Sequence, residues 1–456
     1  MKQLPQLCIT ASGRLCQISN PGSNPKNIEI ARYSINFCDL RSNKFGPNLC
    51  AYLGKLLRPR SLFAIAALFY FFFIAGCSVL KIHPYLKDEF AMQRVSSSNY
   101  PDFLDDMVCD GLENGILQSI SYLKRFSSSK QFRFGEDSFN AAHMIKSMEH
   151  FLNFIQTGPS KNDLNKFIKS NYLVYKSIGG SNGDVLFTGY YEPVLQGSLK
   201  QSAEYRFPIY ARPCDLTTVD LSLFIPALNN KRIIGRYTGR TVVPYFERDE
   251  IEDNAALKGK AEHIAWIKDP VDLFFLQIQG SGKIYFDNEK TINVHYDITN
   301  GRPYRSIGKL LIEEGIIEKS EMSMQKIRAY LKDNPKEVKN ILNFNPSYVF
   351  FKIEEDGPLG CIEVKLTPGR SIALDRRIFP LSALGFIETK KPLINDNGKI
   401  HNWITFSRFV LNHDTGGAIR GPGRADLFWG NGTYAETAAG HMQHNGKLYF
   451  LVLKPD

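Results

Sequence analysis

The chain has 456 residues, 43% of them apolar and 22% charged, with a formal charge of +10. That length is two or three domains' worth at roughly 100–200 residues each, and the balance excludes a disordered or collagen-like chain. Nine basic and two acidic residues lie within 1–60, so +7 of the excess precedes a nearly neutral remainder. A nucleic-acid binder needs its charge on the folded domain, where it displaces counterions from phosphates. Nucleic acid is therefore excluded as a partner.

The basic extension (1–60) leads into residues 61–77, where Leu62–Ala75 is continuously apolar behind Lys55, Arg58 and Arg60. A basic region, a short apolar core and small residues make a secretory signal. The run closes on Ile74-Ala75-Gly76-Cys77, which resembles a lipobox with Cys77 as the lipidated residue. An uncleaved anchor is the alternative, since about 20 uncharged residues just span a bilayer. Both readings predict an exported chain held at a membrane by a lipid anchor or by its N-terminal segment. Residues 1–50 carry no strong periodicity and read as an extension. Cys77, Cys109, Cys214 and Cys361 are the cysteines from the signal onward. They show no CxxC spacing, so neither a zinc site nor a disulfide scaffold is expected.

From about residue 84 to 175 the spacing predicts helices: Met144, Met148, Phe151, Leu152 and Ile155 recur at helical intervals, then Leu164, Phe167, Ile168, Tyr172 and Leu173. Past Gly183 the texture predicts short strands over 185–191, 207–211, 241–246, 272–278, 283–286 and 292–296. Helix returns over about 306–342, with Asn334-Pro335 as cap and first helical residue. Strands follow over 347–353, 361–366, 409–413 and 447–453. Many short strands with regular turns suggest barrels.

The densest stretch is Asp414-Thr-Gly-Gly-Ala-Ile-Arg-Gly421 followed by Arg424-Ala-Asp426-Leu-Phe-Trp-Gly430. Asp414 and Asp426 bracket a loop whose glycines let a substrate approach. Carboxylates so placed suit acid/base work on sugars, although acids in glycine-rich loops commonly just cap turns or pair with arginines. This block closely resembles the C-terminal block of the membrane-bound lytic murein transglycosylase A (MltA) family. Phe187-Thr-Gly-Tyr-Tyr-Glu-Pro193, Pro208-Ile-Tyr-Ala-Arg-Pro213, Gly235-Arg-Tyr-Thr-Gly-Arg240, Phe275-Leu-Gln-Ile-Gln-Gly-Ser-Gly282, Gly301-Arg-Pro-Tyr-Arg-Ser-Ile-Gly308 and Leu366-Thr-Pro-Gly-Arg-Ser-Ile-Ala-Leu-Asp375 agree in order, so the resemblance spans about 180–456.

The resemblance implies a mainly β fold with a helical N-terminal part, in which a double-psi β-barrel-like domain is interrupted by a smaller inserted β-barrel. Carried onto this chain, 84–195 would hold the helical region and first barrel strands, 200–345 the insert, and 346–456 the resumed barrel. It implies cleavage of the β-1,4 bond between N-acetylmuramic acid and N-acetylglucosamine in peptidoglycan glycan strands, leaving 1,6-anhydro ends. Asp426 matches the family's catalytic acid, and Asp414 is its candidate neighbour or an orderer of the loop. No cofactor or metal is implied. Thr188, Tyr190, Tyr191 and Glu192 are groove candidates, with tyrosine offering a flat face and a hydroxyl to a sugar. Gln277, Gln279 and Ser281 are candidates for binding N-acetyl or hydroxyl groups. Arg370 and Asp375 read as an internal ion pair, Trp429 as an apolar neighbour of the acid, and His413 as a weak candidate relay to Asp414. His441 and His444 lack an HExxH context, so they read as surface or loop residues and not metal ligands.

Two alternatives stay open at this level. In one, Asp414 activates water as the second carboxylate of a hydrolase, which requires the carboxyls to be about 5–9.5 Å apart. In the other, the protein holds glycan without cutting it. Ser78 after Cys77 suits outer-membrane sorting to the periplasmic face, and a cell-wall synthesis or division complex is a further partner such an enzyme could join.

Overall fold

The computed structural model describes residues 91–229, 231–252, 256–395 and 398–455. The expected extension, the signal segment and Cys77 lie outside the described residues.

Six strands close a first barrel. Around the ring they run Gln443–Leu453, Leu384–Ile394, Ile400–Asp414, Ser371–Ala373, Arg424–Phe428 and Val185–Tyr190, which returns to Gln443–Leu453. Closure depends on the C-terminal strand sharing one edge between two neighbours. Residues 443–446 pair with 185–188, whereas 449–453 pair with Tyr172–Ser177, to which Met92–Arg94 adds. Alternation along each strand sends Phe187, Ile372, Ala425, Leu427, Phe409 and Phe450 into the core. The helices Leu112–Leu123 and Ala141–Ile155 pack on this core. Asn140 caps the second by accepting the His143 N–H, and its buried stripe is Met144, Met148, Phe151, Leu152 and Ile155.

A second six-stranded sheet is inserted after Tyr190. Its order is Val349–Glu354, Thr291–Thr299, Ser281–Phe286, Val194–Ser198, His263–Ile267 and Phe207–Tyr210, and an Ala211–Phe351 bridge joins its two ends. Beside it stands a three-stranded sheet, Leu216–Asp220, Arg232–Tyr237 and Val242–Pro244. The boundary expected at 346 moves. Val349–Glu354 pairs with Thr291–Thr299 in the second sheet, and the first barrel resumes only at Ser371.

Several elements differ from the sequence expectation, each for a physical reason. Residues 272–278 are not a strand but part of the helix Pro270–Gln279, started by Asp269 accepting the Val271 N–H, by Pro270 at the first position and ended by left-handed Gly280. Its apolar residues face two cores at once, Leu273 and Leu276 toward the insert and Val271, Phe274 and Phe275 toward the first barrel. Apolar residues on two sides of a short helix blur its helical period. The helical pattern expected to reach Tyr175 stops at Asn171, because Tyr172–Ser177 pairs with the distant C-terminal strand. Asn334 does not start a helix. It closes Met324–Asp333 through its side-chain amide on the Tyr330 carbonyl, and the next helix begins at Val338. Residues 361–366 form turns joined by a single Leu359–Lys365 bridge.

Candidate active site

Strand register assembles the site. Ala373 pairs with Asp414 on one side and Asp426 on the other, Asp426 pairs with Thr188, and Thr188 with Gln443. Cross-strand partners share a face, so these five residues form one row on the outside of the first barrel. Two residues along, Phe428 and Tyr190 make the next pair on that face. The Asp414 and Asp426 Cα atoms are separated by two strand spacings, roughly 10 Å, with the small Ala373 side chain between them.

Asp426 keeps partial contact with solvent while surrounded by protein. Its Oδ1 accepts a 2.9 Å hydrogen bond from the Thr188 hydroxyl, itself 3.4 Å from the Arg424 guanidinium. Burial pushes the Asp426 carboxyl up to about 6, against the opposing pull of Thr188 and Arg424. Asp414 is also raised to about 6 by burial, with the nearby Asp426 charge adding to it. Both Asp414 oxygens are engaged: Oδ1 accepts from the Thr415 and Cys361 N–H groups at 2.8 and 2.9 Å, and Oδ2 from the Tyr190 hydroxyl at 3.0 Å. Burial and the two carboxylates hold the Tyr190 phenol well above its ordinary value, so it remains a donor.

A cavity of about 260 Å³ opens between this face and the helix Pro270–Gln279. Thr188, Gly189, Tyr191, Gln279, Tyr304 and Gln443 are among its walls. Asp426 is not a wall residue. Its hydrogen-bond partner Thr188, on the neighbouring strand, is one.

Thr188, Tyr190, Asp414 and Asp426 thus come together, and Tyr191 and Gln279 line the adjoining cavity, where the Tyr191 N–H donates to Gln279 Oε1 at 3.0 Å. Three other expected substrate-binding residues lie inside the protein. Glu192 is 1% exposed, accepting from Asn431 at 2.8 Å with Lys283 of the insert 3.7 Å away. It therefore pins the crossover between the barrels. Gln277 is buried under Arg248, which donates to it at 2.6 Å, and Ser281 is buried at the start of its strand. Arg370 does not pair with Asp375. Its guanidinium grips Asp105 with two bonds of 2.6 and 2.8 Å, while Asp375 pairs with Arg377. His413 is no relay. It is the extra residue where the register slips, held in the core between Ser119 and Ser371 at 2.9 Å each, and burial lowers it to about 3. Trp429 packs against Phe406 and Tyr434 under Gly189. His444 packs against Trp403 with the two rings tilted by 58°, and His441 lies at the cavity wall with Nδ1 at the Thr437 carbonyl. Among the described residues no cluster of three or more His, Cys, Asp or Glu forms a metal site. Arg424 was not among the expected site residues. Its signal was the i, i+2 spacing to Asp426, legible only once 424–428 is known to be a strand.

Residues 186–352 match the model described as the MltA specific insert domain, and 370–452 match the 3D domain. The membrane-bound lytic murein transglycosylase A of Escherichia coli (strain K12) is 33% identical over 278 residues, covering 60% of this chain and 67% of the relative. The enzyme of the same name from Vibrio cholerae is 31% identical over 282 residues, with the same coverage. A crystal structure of a membrane-bound lytic murein transglycosylase from Agrobacterium tumefaciens superposes with a TM-score of 0.66 at 30% identity, over 80% of this chain and 98% of that one. The structure of E. coli MltA with bound chitohexaose gives 0.60 at 28% identity, over 80% and 95%.

Proposed function

This chain belongs to the MltA family, and from that premise we infer that it is a lytic transglycosylase of peptidoglycan in which Asp426 is the single catalytic carboxyl. The observation that carries the assignment is the raised, partly solvent-reaching Asp426 in a row with Thr188, which lines the cavity beside the helix Pro270–Gln279. A carboxyl lifted to about 6 is available as an acid near neutrality.

Thr188 donates to Oδ1, which leaves Oδ2 to carry the proton. That proton passes to the glycosidic oxygen of the departing N-acetylglucosamine as the muramoyl C1–O bond breaks. The carboxylate so formed accepts the proton of the muramoyl C6 hydroxyl as that oxygen bonds to C1, closing the 1,6-anhydro ring. Atoms balance without water. Asp414 is suited to holding the site rather than to activating water, since all the donors around it are already aimed at its two oxygens. That engagement favours transglycosylation over a two-carboxylate hydrolysis.

The reading extends to the double-psi winding of the first barrel, to a glycan lying between the first barrel and an insert running from about Val194 to Glu354, and to an exported protein tethered through Cys77 at the periplasmic face of the outer membrane. A cell-wall synthesis or division complex would be its setting. Digestion of purified peptidoglycan followed by mass spectrometry tests the chemistry. Anhydro-ended muropeptides are expected. Reducing ends would replace the reading with hydrolysis, and uncut sacculi with glycan binding alone.

A further inference from the structure

The three-stranded sheet beside the inserted barrel carries a tip that resists explanation as an ordinary surface. Leu223, Phe224 and Ile225, consecutive in the chain, are 83, 72 and 53% exposed. The tip is built, not loose. The Asp220 carboxylate accepts from both the N–H and the hydroxyl of Ser222, and the Ile225, Leu228 and Lys231 N–H groups donate to the carbonyls of Leu221, Ile225 and Leu228. This scaffold holds apolar side chains outward.

Behind the tip the sheet is one-sided. Ile233, Tyr237 and Val242 share a face, because Tyr237 pairs with Val242 and 233 and 237 are four residues apart. All three are exposed, whereas Leu216 and Ile234 turn to the other side and pack around Tyr245 and Phe350. Cations stand near this apolar surface, with Arg232 on the opposite side of its strand and 3.8 Å from Asp220. Within 216–244 the basic residues are Lys231, Arg232, Arg236 and Arg240, and the single acid is Asp220. Lys231, Arg232 and Arg240 are exposed. A contiguous apolar patch on a folded domain marks a contact surface, and an apolar tip with a basic rim fits the boundary between anionic headgroups and acyl chains.

We propose that this face docks the folded domain onto an anionic lipid surface, with Leu223, Phe224 and Ile225 entering the headgroup–acyl boundary and Lys231, Arg232 and Arg240 meeting the headgroups. It is a second membrane contact, separate from any N-terminal attachment and independent of the chemistry at Asp426.

Full-length protein carrying Phe224→Trp, reconstituted in vesicles of phosphatidylethanolamine and phosphatidylglycerol with brominated acyl chains, tests it. The emission added by this substitution is expected to be quenched by the bromines and shielded from aqueous acrylamide. Lys231→Glu, Arg232→Glu and Arg240→Glu introduced together should abolish the bromine quenching while peptidoglycan cleavage persists, which shows that the variant is folded. Acrylamide quenching in vesicles equal to that in detergent would overturn the proposal. So would shielding that is already present in detergent, which would mean that a second copy or residues 1–90 cover the face.

Discussion

Two carboxylates a short way apart in the same barrel meet opposite fates. Asp375, just past the strand Ser371–Ala373, is fully buried, yet burial is outweighed by the Arg377 guanidinium at 2.5 Å and the Gly421 N–H at 2.9 Å, and its carboxyl falls to about 2. Asp426, opposite Ala373 in the register, receives one hydroxyl and only a more distant guanidinium, and rises to about 6. Burial acts on both in the same direction, so partner chemistry decides the sign. Pairing makes a structural anion. Withholding a directly paired cation leaves an acid that can still give up a proton, and this is how one sheet supports both roles.

The largest expected effect breaks the second half of that contrast. Asp426→Asn should lower anhydro-muropeptide release by about 10²–10⁴-fold, the usual range for a general acid, with the fold intact by circular dichroism. Near-normal turnover would remove Asp426 from the mechanism. Next, Arg377→Gln takes the cation from Asp375 and should cost about 1–3 kcal/mol at neutral pH in denaturant unfolding. A depressed carboxyl stabilises the fold above its unfolded value and loses that contribution as pH falls toward 2, so the variant should lose less stability than the parent between about pH 4 and 2.

The pH profile sharpens the contrast from the other side. On the proposed mechanism turnover requires protonated Asp426 and should decline as pH rises through about 6. Because that carboxyl and Asp414 are raised in the folded state, the stability they confer is present in acid and lost as pH rises through about 6. Asp426→Asn should therefore unfold at a higher temperature than the parent at pH 8 and show a flatter Tm-versus-pH curve. The smallest effect belongs to Thr188→Val. Loss of a donor that favours the carboxylate should move the alkaline limb of the rate profile upward, and an unmoved limb would sever Thr188 from Asp426.

Much of the site was legible in the residues. Asp426, Asp414, Thr188 and Tyr190 stand in dense motifs, and the structure brings these four side chains onto one outer face. Glu192, Gln277 and Ser281 stand in equally dense motifs and lie inside, because motif membership does not report burial. The helix Pro270–Gln279 hid for a related reason. It serves two cores, so its apolar residues occupy two sides and blur its period.

By itself the sequence determined a basic N-terminus followed by an apolar run, a β-rich chain with helical stretches, and the two acids of its densest motif, because charge segregation, residue type and local spacing are properties of neighbours along the chain. Only the tertiary structure decided which strands close the barrel, that Arg370 grips Asp105 instead of Asp375, and that Asp426 is raised while Asp375 is depressed. Those outcomes depend on pairings between residues tens to hundreds of positions apart, and on the dielectric and donors that such pairings place around a charge.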